Sequence, residues 1–164
     1  MQQKIVVTAA MATLALVAAG CGSTSPSTSS ASSSASPSPV ATGEKIAVAT
    51  NAKLGQILVD ESGMTVYLFV ADTGTASTCY TQCAAIWPPV LTTGTPQAGT
   101  GAQASLLGTT TRTDGKVEVT YAGHPLYYFV KDKATGDVTG QGINGFGGLW
   151  WVLSPSGAAI QTKV

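Results

Sequence analysis

The 164 residues carry eight basic and eight acidic side chains, the formal net charge is zero, and only 10% of the chain is charged. Neither sign clusters, which excludes a nucleic-acid surface, because such a surface needs a basic stripe as its electrostatic footprint. Beyond a low-complexity amino-terminal quarter, the remaining length is that of one domain.

Residues 1–20 read as a signal peptide. Lys4 supplies a positive region, Ile5 to Ala19 an apolar run, and Ala18-Ala19-Gly20 a small-residue cleavage site. The run is too short to span a membrane and has the flanks of an export signal. A cysteine follows directly, which is the arrangement of a bacterial lipoprotein cut before Cys21 and lipidated on its sulfur, although Ala18 stands where Leu is usual. Each buried methylene adds about 0.8 kcal/mol of membrane affinity, so two or three acyl chains anchor durably. The expected location is extracytoplasmic, with the cell membrane as a partner through the lipid on Cys21.

Residues 21–43 carry that cysteine and then almost nothing but Ser, Thr, Ala and Pro, with no charge and no aromatic ring. Such a stretch cannot bury enough apolar surface to offset its ordering entropy, so it is expected to be a disordered tether. Its composition also suits O-glycosylation.

Residues 44–164 show no long amphipathic helix. Instead there are short runs rich in Val, Ile, Thr, Tyr and Phe: 46–50, 56–60, 65–70, 106–111, 116–121, 126–130, 150–153 and 159–162. Gly, Asp-Gly and Ser-Gly separate them, so the pattern predicts an all-β fold. Asp114-Gly115 is a tight-turn signal, with Leu54-Gly55 in the equivalent place, and Glu61-Ser62-Gly63 and Ala122-Gly123 join the next strands. One short helix is expected around Cys79 to Ile86, stopped by Pro88-Pro89.

The domain repeats itself at a spacing of sixty residues. Tyr67-Leu68-Phe69-Val70-Ala71-Asp72 returns as Tyr127-Tyr128-Phe129-Val130-Lys131-Asp132, ungapped back through Gly63/Gly123, Val59/Val119, Gly55/Gly115 and Thr50/Thr110. Farther on the offset grows by three, and Ala84-Ala85-Ile86-Trp87 answers to Gly147-Gly148-Leu149-Trp150. Two copies of one supersecondary unit, about 46–91 and about 106–153, are expected to bury their apolar faces against each other. Each copy reads as a three-stranded meander, and the pair as a compact β domain with pseudo-twofold symmetry. Tyr67 and Phe69 alternate with Val66, Leu68 and Val70, so both strand faces are apolar and covered on both sides.

Three cysteines in an exported chain leave one over, and lipidation of Cys21 makes Cys79 and Cys83 a natural disulfide pair. The three intervening residues are one more than a thiol redox motif uses, and Ala84 stands where covalent haem attachment would want His.

The paired Tyr-x-aromatic-x-x-Asp motif, the leader, Cys79-x-x-x-Cys83-Ala84-Ala85-x-Trp87-Pro88-Pro89 and the closing Gly140-x-Gly142 to Trp150-Trp151-Val152 together resemble the bacterial predicted lipoproteins called the secreted repeat of unknown function. The resemblance covers everything after the linker, in two copies. It implies export and duplication, and carries no catalytic residues.

Residues 140–145 satisfy a dinucleotide-binding pattern, yet lie late in an all-β domain with no following helix, so a glycine loop allowing close backbone approach is the better reading. Asp72 and Asp132 read as turn caps just after their strands, against the alternative of a shared cation or acid/base pair. Trp87 and Trp150 are expected in the core between the copies, whereas Trp151 faces the other way, either covering the second sheet face or exposed to stack on a sugar. Met64 and His124 follow equivalent glycines and offer a thioether and an imidazole that suit copper. The expected function is a non-catalytic binding or structural role toward an envelope ligand or protein partner. The alternative is an extracytoplasmic redox or metal-handling lipoprotein using copper or haem, with Met64 and His124 as the candidate copper ligands.

Overall fold

The computed structural model describes residues 42–164, so the signal peptide, Cys21 and nearly all of the linker lie outside the described residues. The described chain is nearly all β. In order come β1 (Thr42–Asn51), β2 (Gly55–Asp60), β3 (Tyr67–Phe69), the five-residue helix α1 (Gln82–Ile86), β4 (Thr95–Ala98), β5 (Leu107–Thr111), β6 (Val117–Tyr121), β7 (His124–Pro125), β8 (Asn144–Gly145) and β9 (Gly148–Val152). They form three three-stranded sheets, ordered β2-β1-β4, β3-β9-β8 and β5-β6-β7.

Each repeat opens with an antiparallel hairpin, β1 with β2 and β5 with β6. The third segments depart from a simple meander. In the first repeat β3 leaves β2 after the single bridge Val59↔Thr65 and pairs with β9 instead. In the second, the run 126–130 is not a continuous strand. His124–Pro125 pairs with β6, and Tyr127 makes isolated bridges to Tyr67 and Pro89. The run 159–162 reduces to one bridge, Leu153↔Ala159, and β4, parallel to β1, has no counterpart in the sequence pattern.

The sixty-residue offset holds for the third segments and fails for the strands before them. Val66 N–H donates to the Leu58 carbonyl, and its counterpart Leu126 N–H donates to the Val119 carbonyl. Leu58 N–H likewise donates to Leu153, and Val119 N–H to Val90. Leu58 therefore corresponds to Val119, sixty-one residues on, which corrects the pairing of Val59 with Val119. The cause is turn length. Three residues, Glu61-Ser62-Gly63, separate Asp60 from Met64, whereas two, Ala122-Gly123, separate Tyr121 from His124. Ala122 and Gly123 have φ of 51° and 84°, the left-handed pair that a two-residue hairpin turn requires. A one-residue slip exchanges the faces of a strand. Glu118 and Thr120 accordingly occupy the places that Ile57 and Val59 hold in the first repeat.

Strand alternation divides the core into two clusters. Tyr67, Phe69, Trp150 and Val152 enter one with Trp87, Tyr127 and Phe129, while Val66, Leu68, Trp151 and Leu153 enter the other with Ile46, Leu58, Val119 and Leu126. Both faces of β3 and β9 are covered, as their apolar patterns require. Trp151 is buried in the second cluster and is not a free stacking surface. Val70 departs from the expectation. It is 53% exposed, because the strand ends at Phe69, where Asp72 N–H donates to the Phe69 carbonyl and turns the chain.

The first cluster is organised by a four-ring stack, Phe69–Trp150–Trp87–Phe129, with successive centroids 4.0, 4.0 and 4.3 Å apart. Tyr67 meets Trp87 edge-on at 5.3 Å, and Tyr127 meets Trp150 edge-on at 5.1 Å, so the arrangement has the twofold relation of the repeats. The glycine-rich segment borders these rings. A Cβ at Gly140 would lie 2.7 Å from Trp87 Cη2, and one at Gly142 3.0 Å from Trp151 Cζ3. The first two glycines of the dinucleotide-like pattern thus serve close approaches to tryptophan. Gly140→Ala should lower stability by about 1–3 kcal/mol through overpacking, measured by urea unfolding, with loss of the near-ultraviolet tryptophan signal in proportion.

Candidate functional site

Tyr67 and Tyr127 face each other across the repeats, the N–H of each donating to the carbonyl of the other at 2.8 and 2.9 Å. Their side chains then cross. The Tyr67 hydroxyl donates to Asp132 Oδ2 and the Tyr127 hydroxyl to Asp72 Oδ2, both at 2.6 Å. Each aspartate uses its other oxygen to hold the loop that follows it. Asp72 Oδ1 accepts from the Thr78 N–H and hydroxyl, and Asp132 Oδ1 from those of Thr139. The two carboxylates do cap their own turns, but their second oxygens serve the opposite repeat, a role that sequence reasoning missed. All four side chains are buried.

A second pair of contacts repeats the crossing. Asn51, at the corner of the first hairpin, donates through Nδ2 to the Gly136 carbonyl in the loop after Asp132. Arg112 holds the equivalent corner of the second hairpin, and its Nη2 donates to the Cys79 carbonyl in the loop after Asp72 at 2.7 Å. Here the symmetry ends. Arg112 Nη1 also donates to Glu118 Oε2 at 2.6 Å and to Ser77 Oγ at 2.7 Å, and its guanidinium lies 4.4 Å from the Tyr80 ring centroid. Ser77 Oγ is 2.7 Å from the Tyr127 oxygen. The Tyr127 proton goes to Asp72, so the serine hydroxyl donates to Tyr127. Arg112, Ser77, Tyr127 and Asp72 thereby form one directed chain of hydrogen bonds, an arrangement in which each bond polarises the next.

Glu118 is fully buried, and Arg112 is 3% exposed. Burial pushes the Glu118 carboxyl up to about 7, against the opposing pull of the Arg112 contact. Burial also draws Arg112 down, and the hydrogen bond and charge of Glu118, joined by Tyr80 and Tyr127, together more than reverse it. Glu118 Oε1 and Arg112 Nε have no hydrogen-bond partner among the described residues. Glu118 and Thr120 alternate with Val117, Val119 and Tyr121, a pattern equally suited to the solvent face of a half-buried strand, so the sequence carries no signal for this site.

Cys79 and Cys83 lie at disulfide distance, with Cα atoms 5.2 Å apart, directly beyond the loop that Arg112 holds. Met64 and His124 are not brought together. Each precedes its tyrosine by three residues, and Tyr67 and Tyr127 pair antiparallel, so the two residues run out on opposite sides. No group of three or more His, Cys, Asp or Glu side chains is placed to hold a metal ion among the described residues.

The surface carries an open groove of about 820 Å³ where the chain enters β1. Leu91 and Val117, both more than a third exposed, give it an apolar part, and Glu44, Lys45, Glu61 and Lys116 a charged one. Burial, together with the charges of Asp60 and Glu61, raises the Glu44 carboxyl above its ordinary value.

The chain belongs to the family described as the secreted repeat of unknown function, which matches it twice, over residues 48–91 and 108–154. No curated protein and no solved structure matches it.

Burial raises the Tyr67 and Tyr127 phenols far above the ordinary value, reinforced by Asp132 for Tyr67 and by Glu118 and Asp72 for Tyr127. The folded protein therefore keeps these protons where the unfolded chain loses them. The stability they contribute should be complete below about pH 10 and fall as pH rises beyond it. Alkaline unfolding curves read this directly. Tyr67→Phe and Tyr127→Phe should each cost about 1.5–3 kcal/mol, the range for a hydrogen bond to a charged partner, by urea unfolding at neutral pH.

Proposed function

We propose that this chain is an exported, lipid-anchored cell-envelope protein that acts by binding, its duplicated β domain presenting a groove to an envelope ligand or partner protein. The leader through Cys21 supports the anchor, and membership of a secreted family supports the location. The observation that carries the binding role is the groove lined by Glu44, Lys45, Glu61, Leu91, Lys116 and Val117. It combines exposed aliphatic side chains with charges of both signs, the mixture by which a concave site holds a ligand and orients it. The chemistry shared by the two repeats, by contrast, is committed inward. Tyr67, Tyr127, Asp72 and Asp132 are hydrogen-bonded to one another and to their own loops.

Two experiments test the parts separately. With wild-type protein, an alkyne fatty acid should label the chain in the membrane fraction, and Cys21→Ala should abolish both labelling and leader removal. Label-free wild-type protein in the medium would overturn the anchor. A photoreactive residue at Val117, in the groove, should crosslink to a discrete envelope component in cells, whereas one at Thr109 should not. Equal crosslinking at both positions would overturn the groove as the binding face.

A further inference from the structure

Arg112 ties two parts of the molecule together: strand β6 through its bond to Glu118, and the loop 73–80 through its bonds to Ser77 and the Cys79 carbonyl and the Tyr80 ring beside which it lies. Thr73 to Ala76 are exposed, and the loop contains no strand or helix. The corresponding loop of the second repeat, 133–139, is held by uncharged groups, the Asn51 amide in the position of Arg112 and the Thr65 hydroxyl, which donates to the Asp137 carbonyl. At the place of Glu118 the first repeat has Ile57. One loop is thus fastened by a buried ion pair and its twin by neutral hydrogen bonds.

The geometry points to a pH-sensitive clasp, in which the Arg112–Glu118 pair fastens loop 73–80, and protonation of Glu118 lets Arg112 swing away and loosens the loop beside the Cys79–Cys83 disulfide. The route out is present. Arg112 Nε already lies 3.7 Å from Asp114 Oδ1, on the partly exposed hairpin tip, where the guanidinium would reach water. Glu118 stays inside in either state, because β6 is hydrogen-bonded to β5 on one side and to Leu91 and Val90 on the other. The groups that bear on it are Arg112 and Asp114 from its own hairpin, Asp72, Ser77 and Tyr80 from the first repeat, and Tyr127.

The direction follows from linkage. The Arg112 contact lowers the Glu118 pKa, so removing the contact raises it above the value of about 7 that it has when clasped. The open loop therefore binds the proton more tightly. Opening is favoured as pH falls toward about 7 and levels off below it, while the clasp tightens as pH rises above that value. Arg112 stays charged throughout.

Amide exchange of the full chain, measured by NMR and corrected for intrinsic rates, tests the clasp with a built-in control. The Thr78 and Thr139 amides make the same bond, to Asp72 and Asp132, and only Thr78 lies in the clasped loop. Asp137, which organises the control loop, is held below the usual carboxylate range by the Lys133 and Ala134 N–H groups and does not titrate in the window. Protection at Thr78 should rise by about tenfold from about pH 6 to about pH 9, with Thr139 nearly unchanged. In Glu118→Gln, Thr78 should be weakly protected at both values, with no pH response. Thr78 and Thr139 changing together, or a pH response that survives in the variant, would overturn the clasp. Should the variant fail to fold, the Glu118 carboxyl resonance of the wild-type chain decides. A midpoint that coincides with the Thr78 change supports the clasp, and one that does not refutes it.

Discussion

Tyr67 and Tyr127 exchange both backbone hydrogen bonds, and the antiparallel sense of that pair governs the arrangement of everything around it. It sets a local twofold axis between the repeats. Phe69 and Phe129 leave the pair in opposite directions, so each closes one end of a stack whose middle is Trp150 and Trp87. The same crossing places each phenol beside the aspartate of the other repeat. Every ring then has a flat neighbour and every buried hydroxyl an acceptor, the condition for placing polar aromatic side chains in a core. Met64 and His124 are sent apart by the identical geometry.

Pseudo-symmetry also makes the departures from it informative. The one-residue slip turns Glu118 and Thr120 toward the first cluster, where the first repeat has Ile57 and Val59. A buried charge is costly unless paired, and Arg112 pairs it from the place where Asn51 stands in the other copy. Such a pair is weak evidence for stability, because desolvation offsets most of the Coulomb attraction. Its consequence here is attachment, since Arg112 is bonded to a loop of the other repeat. The departure from symmetry at the disulfide-closed α1, which the second repeat replaces with the β8–β9 hairpin, lies next along the same chain.

Much of this was legible in the residues. The alternation around Tyr67 predicted two covered faces, and Val66 and Leu68 occupy the second of them. The repeated Tyr-x-aromatic-x-x-Asp motif predicted duplication, which the two family matches bear out. What failed did so for physical reasons. An ungapped comparison anchored on the motif could not register that Glu61-Ser62-Gly63 and Ala122-Gly123 close turns of different length, so it placed β6 one residue out of phase. A strand out of phase presents the wrong face, so the comparison set Glu118 opposite Leu58 rather than Ile57 and did not single it out. Nor does a motif reveal whether Tyr67 bonds its own Asp72 or the distant Asp132, because that depends on a pairing sixty-five residues apart in the chain.

The central claim is that each repeat lacks a core of its own and completes it with the other's rings and carboxylates. Separating the chain within the loop near Thr100 into fragments 42–101 and 102–164 tests this most directly. Each fragment alone should show neither near-ultraviolet tryptophan dichroism nor protected amides, and an equimolar mixture should recover both as a one-to-one complex. A fragment that folds by itself, with its tyrosine and tryptophan rings fixed in the absence of the other, would contradict the account.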